Sequence, residues 1–428
     1  MNMEKRGVGF SNIYYGWIIV AVALISLAFW FGIRTSFSVF YVAFLENFPW
    51  SRSEAAGIQS MALITSTIMA PVVGGLIDRF GPRGVIGSGV LLLALGLILC
   101  AAVNTLTQFY LLYGVVMSAG VSCIGVISYS AILAHWFEKK RGLASGIALS
   151  GMGLGPFLLV PLCQYFISLW GWRFTFVLLG GLALIILLPV NMIFLRHRPQ
   201  ELGLYPDGLK VVEQPSERTT DVINSNLSDT DWTLKKVLRT GRFWALVAFP
   251  SLAIAGIFII MVHNVKFLVD EGIDKMTAAF VFALLGVICS FFRILWGWLS
   301  DRFGRERTYT IGTTFICIGI GSLVLINTLG KNATVYLFLI FFGMGWGATA
   351  PMIISTAADL FKGKVFGLIY GLVEAGIGIG GAFGAWVAGF IFDKTQSYQW
   401  AFVLAIILFI LSCLFMWLTA PRKVLAFK

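Results

Sequence analysis

Three ionisable side chains stand inside long apolar runs: Arg34 in 14–45, Arg293 in 276–299 and Glu374 in 365–391. A guanidinium at mid-membrane depth costs about 2.5–3.5 kcal/mol on insertion scales, so it normally faces a protein interior or a water-filled path and has an anionic partner. The planar fork of arginine holds a carboxylate through two parallel hydrogen bonds. A glutamate in the same setting can take up and release a proton. The chemistry these residues support is therefore reversible capture of a carboxylate, with a proton in attendance. With the site empty, Glu374 is expected to pair with Arg293, and its protonation to free the guanidinium for the substrate; a plain structural ion pair with no substrate involved is the simpler alternative. There is no catalytic Ser/His/Asp arrangement and no cluster with metal-ligand spacing. Gly343-Met-Gly345-Trp-Gly347 has no strand before it, which removes a dinucleotide reading. The sequence therefore leads us to expect no enzymatic group, cofactor or metal.

The elements that must position these charges are membrane-spanning helices. The chain has 428 residues, 58% hydrophobic and 12% charged, with a mean hydropathy of +0.89, whereas soluble domains average about 25% charged residues. Runs of about 20 apolar residues, enough to cross a ~30 Å hydrocarbon core, occur near 14–45, 55–77, 85–103, 108–134, 142–168 and 174–195. After a polar interval they resume at 243–269, 276–299, 308–328, 334–358, 365–391 and 399–419. The first run far exceeds a signal-peptide core of roughly 7–15 residues, so no cleavage is expected. Cys100, Cys123, Cys163, Cys289, Cys317 and Cys413 are scattered singly and read as small buried hydrophobes.

The net charge of +11 is spread over loops and forms no single patch, which removes nucleic acid as a partner. Of the 31 Lys and Arg residues, six (Arg52, Arg173, Lys266, Lys275, Lys331, Lys394) fall on one side of a twelve-span topology, and two lie within spans. The rest share the side that holds both termini and the central interval. Excess Lys and Arg mark cytoplasmic loops, so both termini are expected in the cytoplasm.

A duplication of about 225 residues runs through the chain. Gly75-Leu-Ile-Asp78-Arg79-Phe-Gly81-Pro-Arg83 returns as Trp298-Leu-Ser-Asp301-Arg302-Phe-Gly304-Arg305, and the stretch 141–155 returns as 366–380. The expected architecture is all-α, with an N-terminal six-helix bundle over 1–195, a cytoplasmic linker over 196–241 and a C-terminal bundle over 242–428. Parallel six-span halves place a substrate site near the midplane between them. About 211–230 reads as disordered, and Asp231–Arg239 as a basic amphipathic helix, either at the membrane surface or solvated. At 1.5 Å per residue, Arg293 and Glu374 both lie roughly 12 Å from that side of the membrane.

The twelve spans, the long central loop and the two Gly-x-x-x-Asp-Arg-x-Gly-type loops resemble the major facilitator superfamily over essentially the whole chain. Tyr14-Tyr-Gly-Trp17, Gly32-Ile-Arg34-Thr-Ser-Phe-Ser-Val-Phe40, Arg198-Pro-Gln-Glu-Leu-Gly-Leu-Tyr-Pro-Asp-Gly208 and Arg293-x-x-x-Gly297 resemble its bacterial monocarboxylate transporter and oxalate/formate antiporter branch. The resemblance implies a secondary transporter in a bacterial inner membrane that moves a small carboxylate by alternating access. Proton symport of a short monocarboxylate is the leading expectation, and carboxylate exchange the alternative. A carboxylate sensor on the same fold is a remote third. The resemblance also implies a gating role for Asp78, Arg79 and Arg83 and for Asp301, Arg302 and Arg305, with the aspartate engaging a helix N-terminus of the other half when the cytoplasmic side closes. Animal relatives carry an aspartate one turn before the eighth-span arginine. Here Cys289 stands in that place, so the proton is sought on Glu374.

Other candidates have an ordinary reading beside the functional one. Arg34 is a second anion contact or a snorkelling side chain. Glu374 is a proton site or a hydrogen-bond partner for a neighbouring helix in its glycine-dense span. His263, beside Asn264, is a proton relay or a packing residue. Tyr129 and Tyr370 are substrate contacts or core, as are Ser130 and Trp346.

Overall fold

The computed structural model describes residues 14–137, 140–208, 234–361 and 366–419. Among these there is no strand, and ten helical stretches are long and apolar enough to cross a membrane. One of them, Leu143–Phe194, is two spans joined at Gly171, where φ is +80°. A further helix, Arg305–Val324, opens on charged residues and completes twelve. In chain order these are α1 (Gly16–Asn47), α2 (Arg52–Phe80), α3 (Pro82–Cys100), α4 (106–136), α5 (141–170), α6 (172–194), α7 (Gly241–Asp270), α8 (Lys275–Phe303), α9 (Arg305–Val324), α10 (Lys331–Leu360), α11 (Phe366–Thr395) and α12 (Gln399–Thr419). They form two related six-helix bundles. The segment expected to be disordered, 211–230, lies outside the described residues.

Local chemistry sets the helix ends. Ser51 and Glu54 form a capping box at the start of α2, Thr105 and Gln108 form another before α4, and Asp274 accepts from Met276 and Thr277 N–H at α8. Gly81 and Gly304 end α2 and α8 at φ +77° and +88°, so the repeated loops turn through a conformation that only glycine adopts freely.

Each bundle is built on the same seam. In the first, Gly151 and Gly155 of α5 lie against the Leu24 and Ala28 carbonyls of α1; in the second, Gly380 and Gly384 of α11 lie against the Ser251 and Ala255 carbonyls of α7. A Cβ at any of these four glycines would collide with the facing backbone. The glycine-dense stretches expected to allow close helix approach do so in both halves.

The linker begins as a staple. Tyr14 donates to the Trp136 carbonyl at 2.9 Å and to the Tyr205 carbonyl at 3.0 Å, and Trp136 Nε1 donates to the Arg196 carbonyl at 3.0 Å. The Arg198–Gly208 motif therefore docks on the ends of α1 and α4, at what we call the linker face. The basic helix near the linker's end is the single turn Leu234–Leu238. Its Val237 is fully buried in a cluster with Phe243 and Phe361, so its apolar contact is the protein itself.

Tyr129, expected as a substrate contact, is corrected by its surroundings. It is 0% exposed and donates to Asn191 Oδ1 at 2.7 Å, while Asn191 Nδ2 donates to Ser26 Oγ at 3.0 Å. This network ties α4, α6 and α1 together inside the first bundle, where an unmet polar group is expensive. Tyr129→Phe is expected to cost about 1–2 kcal/mol by leaving the Asn191 oxygen unpaired. Thermal unfolding in detergent should show that loss, with the apparent affinity for transported substrate unchanged.

Candidate functional site

The two bundles meet on the face opposite the linker, here called the far face. Arg52 at the start of α2 forms an ion pair with Asp270 at the end of α7, at 2.7 Å, and Lys266 joins the same carboxylate. The Arg52 guanidinium lies 3.4 Å from the Phe392 ring centroid. Asp393 of α11 accepts the backbone N–H groups of Arg52 and Ser53, each at 2.9 Å. Lys275 of α8 pairs with Glu46 of α1 at 2.7 Å, and Ser60 of α2 donates to the Ala382 carbonyl at 2.7 Å.

Two helix pairs carry this seam inward. Along α2 and α11 it runs from Gly389, packed on the Arg52–Ser53 backbone, to Gly378 against Thr67. Along α5 and α8 it reaches Gly153 against Ser290. Further toward the linker face the same helices separate. Gly74, Gly75, Gly297 and Gly371 have no atom within 4 Å of where a Cβ would stand, and Ile68 and Ile294 are 63% and 78% exposed. The molecule is thus closed at the far face and open toward the linker face.

Arg293 and Glu374 lie at the lower edge of this seal. Arg293 follows the Ser290 contact by less than one helical turn, and Glu374 precedes Gly378 by about one turn. Both are at least partly exposed. The expected ion pair between them is absent. Arg293 has no carboxylate within 4.0 Å among the described residues; its Nη2 donates to Cys289 Sγ at 3.6 Å and its Nε is buried without a partner. Glu374 instead has the Tyr370 hydroxyl as its neighbour, one turn away on α11. The reason is architectural: α8 packs on α5 and α10, whereas α11 packs on α2, α7 and α12, so the two charges share a depth on different walls.

The backbone carrying Arg293 is held firmly. Gly347, at a break in α10, lies against the Cys289 carbonyl and the Arg293 nitrogen, closer than any Cβ would permit. Trp296 Nε1 donates to the Met344 carbonyl at 2.7 Å. These contacts leave the guanidinium as the mobile end of a fixed stem.

Arg34, partly exposed on α1, has its guanidinium carbon 5.1 Å from the Trp30 ring centroid. Among the described residues it too has no carboxylate within 4.0 Å. Its electrostatic neighbour is Tyr113, whose hydroxyl is buried without a hydrogen-bond partner on a π-helical stretch of α4. His263 is not on the open cavity: it is 0% exposed, with Nε2 2.9 Å from the Ala385 carbonyl and Nδ1 3.1 Å from the Tyr398 hydroxyl. A carbonyl only accepts, so Nε2 carries a proton, while Nδ1 shares a hydrogen bond with the Tyr398 hydroxyl, which can donate or accept. Its ring meets Tyr41 of α1 edge-on at 5.0 Å, placing it within the far-face seal. Asn264 beside it is buried with both carboxamide atoms unpartnered.

The loop charges at the linker face bond within their own halves. Arg305 pairs with Asp301 at 2.6 Å and Asp359 at 3.2 Å, joining α8, α9 and α10. Arg302 lies 4.1 Å from the Trp298 ring and Arg79 5.2 Å from the Phe80 ring. Arg83 donates to the Met192 carbonyl. The Asp78 side chain lies outside the described residues. Reading the sequence missed the far-face residues Arg52, Asp270, Asp393 and Tyr398, because a charge at a helix end looks like ordinary loop charge until its partner is seen.

The major facilitator superfamily matches residues 18–370 and 350–428 of this chain. Monocarboxylate transporter 13 of Bos taurus is 30% identical over 396 residues, covering 91% of this chain and 86% of that protein. Monocarboxylate transporter 2 of Homo sapiens is 26% identical over 402 residues, covering 91% and 82%. Among solved structures, a bacterial homolog to the human lysosomal transporter Spinster, in an inward-facing and unoccupied conformation, has a TM-score of 0.73 at 14% identity, covering 97% of this chain and 99% of that one. A D-xylose-proton symporter has a TM-score of 0.72 at 18% identity, covering 94% and 98%. Two related six-helix bundles closed against each other at one face, with a sequence match spanning both, make this chain a member of the major facilitator superfamily.

Proposed function

We propose that this transporter carries a small monocarboxylate, lactate-like or pyruvate-like in size and charge, together with a proton. Arg293 carries the reading: among the described residues it is a guanidinium without a carboxylate partner, held on a rigid stem at the edge of the far-face seal. Relatives named monocarboxylate transporters support the same substrate class. The linker face is cytoplasmic, because most Lys and Arg gather there.

Coupling follows from the cost of burying charge. Closing the linker face would strip water from both Arg293 and Glu374, and an unpaired buried ion costs several kcal/mol. A bound carboxylate neutralises Arg293. A proton neutralises Glu374, whose neighbour one turn away is Tyr370. Closure is cheapest when both are bound or when the two residues meet each other in the empty carrier, so substrate and proton cross together. Exchange of a small dicarboxylate is the second reading, favoured by Arg34, which among the described residues also has no carboxylate partner and belongs to the other bundle.

Arg293→Ala is expected to cost about 2–5 kcal/mol of substrate binding, at least a ~30-fold loss in affinity. Binding to purified protein and uptake into proteoliposomes check this, and normal affinity would remove Arg293 from the site. Glu374→Gln is expected to keep counterflow exchange while losing accumulation driven by an imposed pH gradient. Unaltered proton-driven uptake by that variant would end the coupling proposal.

A further inference from the structure

His263 of α7 is a titratable group enclosed in the far-face seal, and the groups around it come from both bundles. The first bundle supplies Tyr41 of α1, whose ring meets the imidazole edge-on at 5.0 Å and whose hydroxyl donates to the Arg52 carbonyl at 3.2 Å. It also supplies Arg52 of α2, whose guanidinium carbon is 4.9 Å from the Tyr398 ring centroid. The second bundle supplies the Ala385 carbonyl and Asp393 of α11 and the Tyr398 hydroxyl just before α12. Lys266 and Asp270 follow about one and two turns along α7 and are paired with each other, Asp270 also with Arg52, while Lys275 of α8 is taken by Glu46. Among the described residues no carboxylate lies within 4.0 Å of the ring. The cation and the anion that act on it are Arg52 and Asp393.

We propose that His263 is a proton-operated release for the far face: the ring is neutral while the seal is closed, takes up a proton from the far side as the bundles part, and so holds that face open. Inside the seal an imidazolium would have no water, would stand beside the Arg52 cation, and would find Asp393 committed to the Arg52 and Ser53 N–H groups. Parting the bundles reverses all three conditions. Arg52 and Tyr41 leave with the first bundle. Asp393 loses its two backbone donors and stays with His263 in the second. Water enters, and the two N–H groups of the charged ring donate to the Ala385 carbonyl and to the Tyr398 oxygen or water. Asn264, buried beside the ring with both carboxamide atoms unpartnered, is satisfied by the same water. A proton that binds the open state more tightly than the closed one shifts the population toward the open state, so acid on the far side raises the share of far-open carriers. His263 is thus a positioning residue, acting on the seal and not on substrate, whereas Glu374 lies at the edge of the seal toward the linker face.

The test measures conformation without substrate, so its outcome is independent of the carboxylate proposal. Spin labels on cysteines introduced at Ala102 and Asn332, exposed at the far ends of opposite bundles, report far-face separation in lipid nanodiscs, where both faces meet the same pH. The six native cysteines are replaced, and Glu374→Gln is present throughout, so that titration of Glu374 contributes nothing. From pH 8 to pH 5.5 the ratio of far-open to far-closed molecules is expected to rise about tenfold, the effect of a tenfold difference in proton affinity between the two states. His263→Gln and His263→Asn each put an uncharged amide in the ring's place, and whichever is better folded by size-exclusion profile and thermal unfolding should show the same ratio at both pH values. His135 and His197, whose rings lie 5.0 Å apart at the linker face, remain in every sample and serve as the internal control. A ratio that does not change with pH when His263 is present, a ratio that falls in acid, or a shift that persists in the His263 variant would overturn the proposal.

Discussion

Burying charge in a low-dielectric interior costs several kcal/mol unless it is paired, and the distribution of ions here follows that constraint. Where the bundles are sealed, at the far face, the ions are matched: Arg52 and Lys266 with Asp270, Lys275 with Glu46, and Asp393 with two backbone donors. Where the bundles are parted, Arg293 and Glu374 stand without each other. The same cost that keeps a sealed face in register makes the open site selective for what neutralises it.

The glycine seams make such a site movable. α5 on α1 and α11 on α7 are locked by backbone contact, so each bundle behaves as a unit. The contacts between bundles are of a different kind: ion pairs, helix caps and a few small-residue approaches. These break and re-form at modest cost, as two-state elements must. Arg293 is fixed to its bundle through Gly347 and Trp296, so motion between bundles changes what surrounds the guanidinium without disturbing its stem.

Much of this was legible in the residues. Twelve spans follow from apolar run lengths, and the two-bundle architecture from the Asp78 and Asp301 loops and the paired glycine stretches. The depth shared by Arg293 and Glu374 follows from helical rise alone. The ion pair between them was not correctly read, because depth along a helix axis does not determine which wall a helix occupies. Tyr129 failed for a related reason: a tyrosine in a cavity-type span points inward or into its own bundle according to rotation, and Asn191 sits 62 residues away in sequence.

The sequence by itself determined the membrane class, the number of helices, their repeat, and the short inventory of charges inside the spans. These depend on local hydrophobicity and periodicity, which every residue reports independently. Only the tertiary structure decided which charges meet. Arg52 and Asp393 are 341 residues apart and read as loop ions, yet they form the closed face because two antiparallel helices from different bundles bring their ends together. Pairings of that kind depend on how the bundles are rotated and tilted against each other, a property of the whole assembly that no local pattern encodes.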